Sequence, residues 1–143
     1  MDNIDFDKWC NIKKKTNIKK REFFVEAGDI VFIKIGKNIG YDQNGKGEEF
    51  LRPVLVLKVF NKSLFIGVAL TSKEKKGKDF IKIDFYKKDK LFQSTAILMQ
   101  IRTYDNKRIK YKKGSMRKKE FLEVLNHFKN VTLQNGENPE GNW

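Results

Sequence analysis

Cysteine and histidine are nearly absent from this chain: Cys10 and His127 are the single examples in 143 residues. A lone cysteine excludes an internal disulfide and a cysteine-rich zinc site, and suits a reducing, cytoplasmic compartment. A lone histidine excludes hydrolysis by paired imidazoles acting as acid and base. His127 itself falls on an expected helix beside Phe128, where a surface or packing role is the ordinary one. Long apolar runs are missing too. No stretch approaches the roughly 18 apolar residues of a membrane span, and Met1-Asp2-Asn3-Ile4-Asp5 does not begin a signal peptide. We therefore expect a soluble cytoplasmic protein with no membrane partner.

Positive charge is abundant instead. The 31 Lys and Arg against 18 Asp and Glu give a formal charge of +13. Such an excess favours polyanionic partners, nucleic acid first, through neutralisation of phosphates. It is equally compatible with a lysine-rich composition spread over a solvated surface. The hydrophobic fraction is 39% and the charged fraction 34%, which fits one modest core under a heavily charged surface.

Residues 1 to 27 read as a basic extension. Phe6, Trp9 and Cys10 share helical spacing ahead of Lys13-Lys14-Lys15 and Lys19-Lys20-Arg21, so a short docked helix is expected, a frayed arm being the alternative. From Gly28-Asp29 the pattern becomes one of strands: Ile30 to Ile35, then a Gly- and Asn-rich loop from Gly36 to Gly47, then Val54 to Phe60 with Pro53 at its start. Asn61-Lys62 suits a tight turn into Leu64 to Thr71. Further strands are expected over Phe80 to Phe85, near Thr95 to Gln100, and over Ile101 to Tyr104. Ser115 looks like the N-cap of a helix whose apolar face is Phe121, Leu122, Leu125 and Phe128. Residues 134 to 143 are polar and read as a tail. The sum is one mainly β domain over 28 to 133, a small barrel covered by a C-terminal helix and preceded by a helical extension.

One near-match to a phosphate-binding loop needs weighing. Gly40-Tyr41-Asp42-Gln43-Asn44-Gly45-Lys46-Gly47 has the glycine and lysine spacing, but Gly47 replaces the Ser or Thr that would hold magnesium. The loop leads into Arg52-Pro53 and a strand, where the motif requires a helix N-terminus. Nucleotide hydrolysis on this loop is not expected.

Four segments carry more information when taken in order: Gly40-Tyr41-Asp42-Gln43, Phe50-Leu51-Arg52-Pro53-Val54-Leu55-Val56-Leu57, Ala69-Leu70-Thr71-Ser72, and Gln100-Ile101-Arg102-Thr103-Tyr104-Asp105-Asn106-Lys107-Arg108-Ile109. Together they resemble the MazF/PemK family of toxin–antitoxin ribonucleases over about residues 28 to 130. The resemblance implies an SH3-like barrel, a homodimer, a groove for single-stranded RNA, and a cognate antitoxin that holds the toxin inactive. It implies a catalytic pair at Arg52 and Thr71 and an acidic helper at Asp42. The loop is longer here than the family pattern and ends in Glu48-Glu49, so Glu48 is the other candidate for that acidic role. Gln43, Glu48, Ser72, Gln100, Arg102 and Arg108 are the expected RNA contacts; Gln100, Arg102 and Arg108 are alternatively braces of the dimer, and a purely structural role is the other reading of Arg102. No metal or other cofactor is expected.

These residue types suit the implied chemistry. Attack of a ribose 2′-OH on its own phosphate requires stabilisation of a dianionic phosphorane, which a fixed guanidinium supplies through two parallel donors. A threonine hydroxyl can position the phosphate. The residues by themselves also allow Arg52 a surface ion pair with Glu48 or Glu49 and Thr71 an ordinary strand-end role. Two other functions stay open: a barrel that binds nucleic acid without cutting it, and a gyrase poison of the CcdB type. The latter has a tryptophan ending its C-terminal helix, a poor match to Trp143 after Asn138-Pro139-Glu140-Gly141-Asn142. The basic extension is expected to add to RNA affinity through counterion release.

Overall fold

The computed structural model describes residues 3–39, 44–47 and 49–133. It opens with helix α1, Asn3–Ile18. Trp9 and Thr16 are buried, with Asp5 and Ile12 half-buried between them. The spacing 5, 9, 12, 16 is one helix face. The expected face is therefore offset by one position: Cys10, predicted to share it, is exposed. The helix is held down by its C-terminal half, where Lys107 Nζ donates to the Asn17 carbonyl at 2.9 Å and Lys34 Nζ donates to Thr16 Oγ1 at 3.4 Å. Beyond it, Lys19 Nζ donates to the Ile109 carbonyl at 3.2 Å and Arg21 pairs with Asp105 at 2.8 Å.

Six antiparallel strands come next: β1 Asp29–Lys34, β2 Leu51–Val59, β3 Leu64–Thr71, β4 Phe80–Lys87, β5 Lys90–Asp105 and β6 Ile109–Ser115. Their order around the sheet is β1-β2-β3-β5-β4-β6, and β6 returns to β1 to close a barrel. Closure protects the strand edges from pairing with other chains. Helix α2, Lys118–Phe128, covers one side and runs into a π turn, Lys129–Leu133. The expected small β-barrel with a helix at each end is found.

Strands β1 and β2 are apolar on both faces. Ile30, Leu55, Leu57, Val68, Leu70, Ile83, Phe85 and Leu98 form one core together with Phe121, Val124 and Phe128 of α2. Val31, Ile33, Val54, Val56, Phe65, Tyr104 and Ile109 form a second, against which Phe23 and Val25 pack. Each fully buried aliphatic side chain contributes roughly 1.5–3 kcal/mol. Burial on both faces removes the need for alternation, which is why Ile30-Val31-Phe32-Ile33 and Val54-Leu55-Val56-Leu57 read as continuous apolar runs. β4 has Ile83 and Phe85 buried and Lys82 exposed, so it alternates.

Several boundaries differ from expectation. The two short strands predicted at Thr95 to Gln100 and Ile101 to Tyr104 are halves of one strand, β5, which pairs with β3 through a register irregularity between Val68 and Leu70. β6 was not expected, because Lys110-Tyr111-Lys112-Lys113 has too few apolar residues to read as a strand. Ser115 ends β6 and is not the helix cap; Arg117 precedes α2 with no side-chain capping bond. On α2, Leu122 is 52% exposed and Val124 takes its expected place in the core. Pro53 is the third residue of β2, opposite Phe32 of β1. β3 joins β2 only at Val54, so at Pro53 the strand has a partner on one side, where a missing N–H is tolerated. At the β2–β3 turn, Asn61 Oδ1 accepts from the Ser63 and Leu64 N–H groups at 2.7 and 3.0 Å, the side-chain turn chemistry that asparagine supplies.

Candidate active site

Arg52 and Thr71 stand 19 positions apart in sequence and are brought to one groove by the pairing of β2 with β3. Val54 and Ala69 are the last pair between these strands; beyond them the Arg52 side chain reaches the Leu70 carbonyl, next in sequence to Thr71, and both residues line the same groove. Both are buried, at 9% and 8% exposure. Arg52 Nε donates to the Asn44 carbonyl at 2.7 Å, and one terminal nitrogen donates to the Leu70 carbonyl at 3.2 Å. Two main-chain acceptors thus clamp the guanidinium plane, leaving further donors of its fork for a ligand. Burial lowers the Arg52 pKa from the ordinary guanidinium value, and Tyr104 opposes this weakly. Even lowered, a guanidinium stays charged at neutral pH.

Thr71 Oγ1 accepts from the Lys73 N–H at 3.2 Å, which fixes the hydroxyl oxygen and leaves its O–H able to donate. The Thr71 carbonyl accepts from Ser94 Oγ at 3.0 Å, and Thr71 pairs with Thr95 of β5. The end of β3 is therefore held by β5.

A groove of about 580 Å³ runs over this pair. Ser72 lines it and is exposed. Aromatic rings form the walls: Phe32 stacks on Tyr111 with centroids 4.9 Å apart, and Phe92 stacks on Phe85 at 5.4 Å. Lys113 Nζ lies 4.4 Å from the centre of the Phe92 ring. Among the described residues, Lys46, Arg52 and Lys113 line the groove and no carboxylate does. The combination offers a positive floor with flat apolar faces, the surface that single-stranded nucleic acid uses.

The other expected site residues divide in two. Asp42, Gln43 and Glu48 lie outside the described residues. Gln100, Arg102 and Arg108 are not among the described residues lining the groove. Arg102 sits over the Tyr104 ring at 5.3 Å, on a β5 segment paired with Gly67 of β3. Arg108 donates to the Lys34 carbonyl at 3.0 Å and stacks near Trp9 at 6.0 Å. Burial lowers its pKa, and Arg102 adds to the effect. Sequence reasoning missed Phe32, Phe92, Tyr111 and Lys113. The available signal was the interleaving of lysine with aromatics in Lys90-Leu91-Phe92 and Lys110-Tyr111-Lys112-Lys113. His127, expected in a surface or packing role, has its ring Nε2 at the surface, 3.2 Å from the Lys78 carbonyl. Among the described residues, no group of three or more His, Cys, Asp or Glu side chains is placed to hold a metal ion, and no helix is long and apolar enough to cross a membrane.

A closed six-stranded barrel with a cationic groove across β2 and β3 is a MazF-like fold. It superimposes on the crystal structure of MazF (form I) from Deinococcus radiodurans with a TM-score of 0.61 at 17% identity, covering 79% of this chain and all of that one. Residues 26–132 match the family model described as the PemK-like, MazF-like toxin of type II toxin–antitoxin systems, and the chain belongs to that family. Membership implies an antitoxin partner. A search of curated proteins returns no match. Helix α1 precedes the matched residues.

Proposed function

We propose that this toxin is a sequence-specific endoribonuclease, an mRNA interferase, that cuts single-stranded RNA by attack of a ribose 2′-OH on the adjacent phosphate without a metal ion. The observation that carries the reading is Arg52: a buried guanidinium, immobilised by two main-chain carbonyls, beside a threonine hydroxyl in a groove with no lining carboxylate among the described residues. A preorganised donor of this kind acts on charge that develops in the transition state and needs no reorganisation.

In this scheme the remaining Arg52 donors bind the non-bridging oxygens of the phosphorane. The charged Arg52 fork also donates a hydrogen bond to the departing 5′-oxygen, which takes its proton from water. The Thr71 hydroxyl donates to the scissile phosphate, and Asp42 is the candidate base for the 2′-OH. Flanking bases stack on Tyr111 and Phe92, and Lys113 and Lys46 receive the neighbouring phosphates. The working form is a cytoplasmic homodimer, and the antitoxin silences it by covering the positive groove with an acidic segment that folds as it binds.

The test is incubation of the purified protein with mixed RNA in excess EDTA, then mapping of the new ends. Cuts at a fixed short sequence, leaving 5′-hydroxyl and 2′,3′-cyclic phosphate ends, are expected. A single 2′-deoxy substitution at the cut should abolish them. Cleavage that persists on the deoxy substrate, or that stops in EDTA, refutes the mechanism.

A further inference from the structure

We propose that the cavity between α1 and the Asn106–Arg108 turn is a second anion site, one that takes a phosphate-bearing nucleotide unit, either within an RNA strand or free. The inference goes beyond the ribonuclease reading, because it uses neither Arg52 nor Thr71 and depends on a helix that the family match does not include.

The cavity measures about 430 Å³, within the range of sites that enclose small ligands. Lys13 and Lys14 from α1 and Lys107 and Arg108 from the barrel bring four cations to it, against one carboxylate among the described residues, Asp105. That carboxylate is already held by Arg21 at 2.8 Å and by the Lys107 N–H at 2.8 Å, so it does not neutralise the four. Arg108 is the most telling member. It is largely buried, and a terminal nitrogen donates to the Lys34 carbonyl, while its guanidinium faces Trp9 at 6.0 Å. The carbonyl takes one of its donors, and the carboxylate that acts on it, Asp105, is shared with Arg21 and the Lys107 N–H. A partly desolvated cation whose one nearby carboxylate is shared gains from a further anion, and its planar fork fits phosphate oxygens two at a time.

In the adjoining core, next in sequence to Asp105, the Tyr104 hydroxyl is buried without a hydrogen-bond partner among the described residues and lies within the fields of Arg102, Arg108 and Arg52. Among the described residues the cavity thus gathers four cations against one shared carboxylate. A phosphate monoester, carrying nearly two charges, or successive phosphodiesters answer four clustered cations better than a single carboxylate does.

Cys10 lines the same cavity, is exposed, and is the chain's single cysteine, so it reports occupancy without any appeal to cleavage. The full-length protein is reacted with N-ethylmaleimide, an uncharged thiol reagent, in three arms: 5′-adenosine monophosphate, a 2′-O-methyl RNA decamer, and polyglutamate at matched charge. We expect the nucleotide or the decamer to slow alkylation at least fivefold. Protection by the decamer alone assigns the site to the RNA strand; protection by the mononucleotide as well assigns it to a free nucleotide too. In the exposed pair K13E/K14E, which should unfold at the wild-type temperature, the protection should vanish. The salt dependence of decamer affinity should also flatten by about 1.4, at roughly 0.7 per lost phosphate contact for a single strand. No protection in either nucleotide arm overturns the proposal. So does protection that survives K13E/K14E, and so does equal protection by polyglutamate, which would mark the cavity as a seat for an acidic peptide. Protection in a protein that cuts no RNA would leave this site standing and remove the ribonuclease reading.

Discussion

Replacing Arg52 separates its two roles. The family resemblance gave Arg52 a catalytic role, but at 9% exposure with two main-chain acceptors it also ties the Asn44 loop to the end of β3. In Arg52→Ala the Asn44 and Leu70 carbonyls lose their donor. A buried acceptor left unpaired costs about 1–3 kcal/mol, and water entering from the groove offsets part of that. The net destabilisation should be about 2 kcal/mol, which for a domain of this size lowers Tm by roughly 4–8 °C. The loss in rate should be separate and larger, about 10²–10³-fold in kcat, the usual effect of removing one preorganised donor from an oxyanion-type site. The assay is single-turnover cleavage of a short RNA at 20 °C, where both proteins stay folded, alongside urea denaturation. Arg52→Lys keeps the charge and loses the fork, so its rate should also fall by at least about tenfold, with a smaller loss of stability. If Arg52→Ala is folded at 20 °C and cuts within fivefold of wild type, Arg52 is a structural tie and the catalytic assignment fails.

Thr71→Val, which keeps shape and removes the hydroxyl, should slow single-turnover cleavage by tenfold or more while Thr71→Ser restores most of it; equal rates in the two variants would reduce Thr71 to a strand terminus. Tyr104→Phe removes a buried hydroxyl that has no partner among the described residues, so urea denaturation at pH 7 should show unchanged or slightly raised stability. Burial raises the Tyr104 pKa above its ordinary value of 10.0, with the three arginines opposing. The folded state therefore keeps its proton where the unfolded chain loses it, and the contribution to stability is full below pH 10 and declines above it. Tyr104→Phe should shallow that alkaline decline, and identical pH profiles would remove Tyr104 as its source. Gly36 has φ of +89°, and a Cβ there would overlap Cε2 and Cζ2 of Trp9. Gly36→Ala should accordingly release α1, seen as faster alkylation of Cys10 together with a lower Tm, and wild-type values of both would contradict this packing of Trp9.

Much of this molecule is local and therefore legible in its sequence. The β-branched runs at Ile30 to Ile35 and Val54 to Phe60, the asparagine turn at Asn61, and the apolar spacing of Phe121, Leu125 and Phe128 depend on neighbours a few residues away. The near absence of cysteine and histidine narrowed the chemistry, and the four ordered segments indicated the family. Asp42, Gln43 and Glu48 remain expectations of that kind.

What tertiary structure decided is long-range. Pairing of β2 with β3 brings Arg52 and Thr71 to one groove, because antiparallel strands set the start of one beside the end of the other across a separation of 19 residues. Barrel closure through β6 carries Tyr111 to Phe32 and Lys113 to Phe92, turning a lysine-rich run into one wall of the groove. Trp9 faces the barrel and Cys10 does not, since Gly36 and Phe50 leave a seat for a ring at one helical position. Arg108, expected from sequence among the RNA contacts of the groove, is drawn to the α1 side by the Lys34 carbonyl. Hydrophobic pattern specifies which residues are inside a strand or helix, but the position of a polar side chain on the finished surface depends on strand order and register, which no short window of sequence contains.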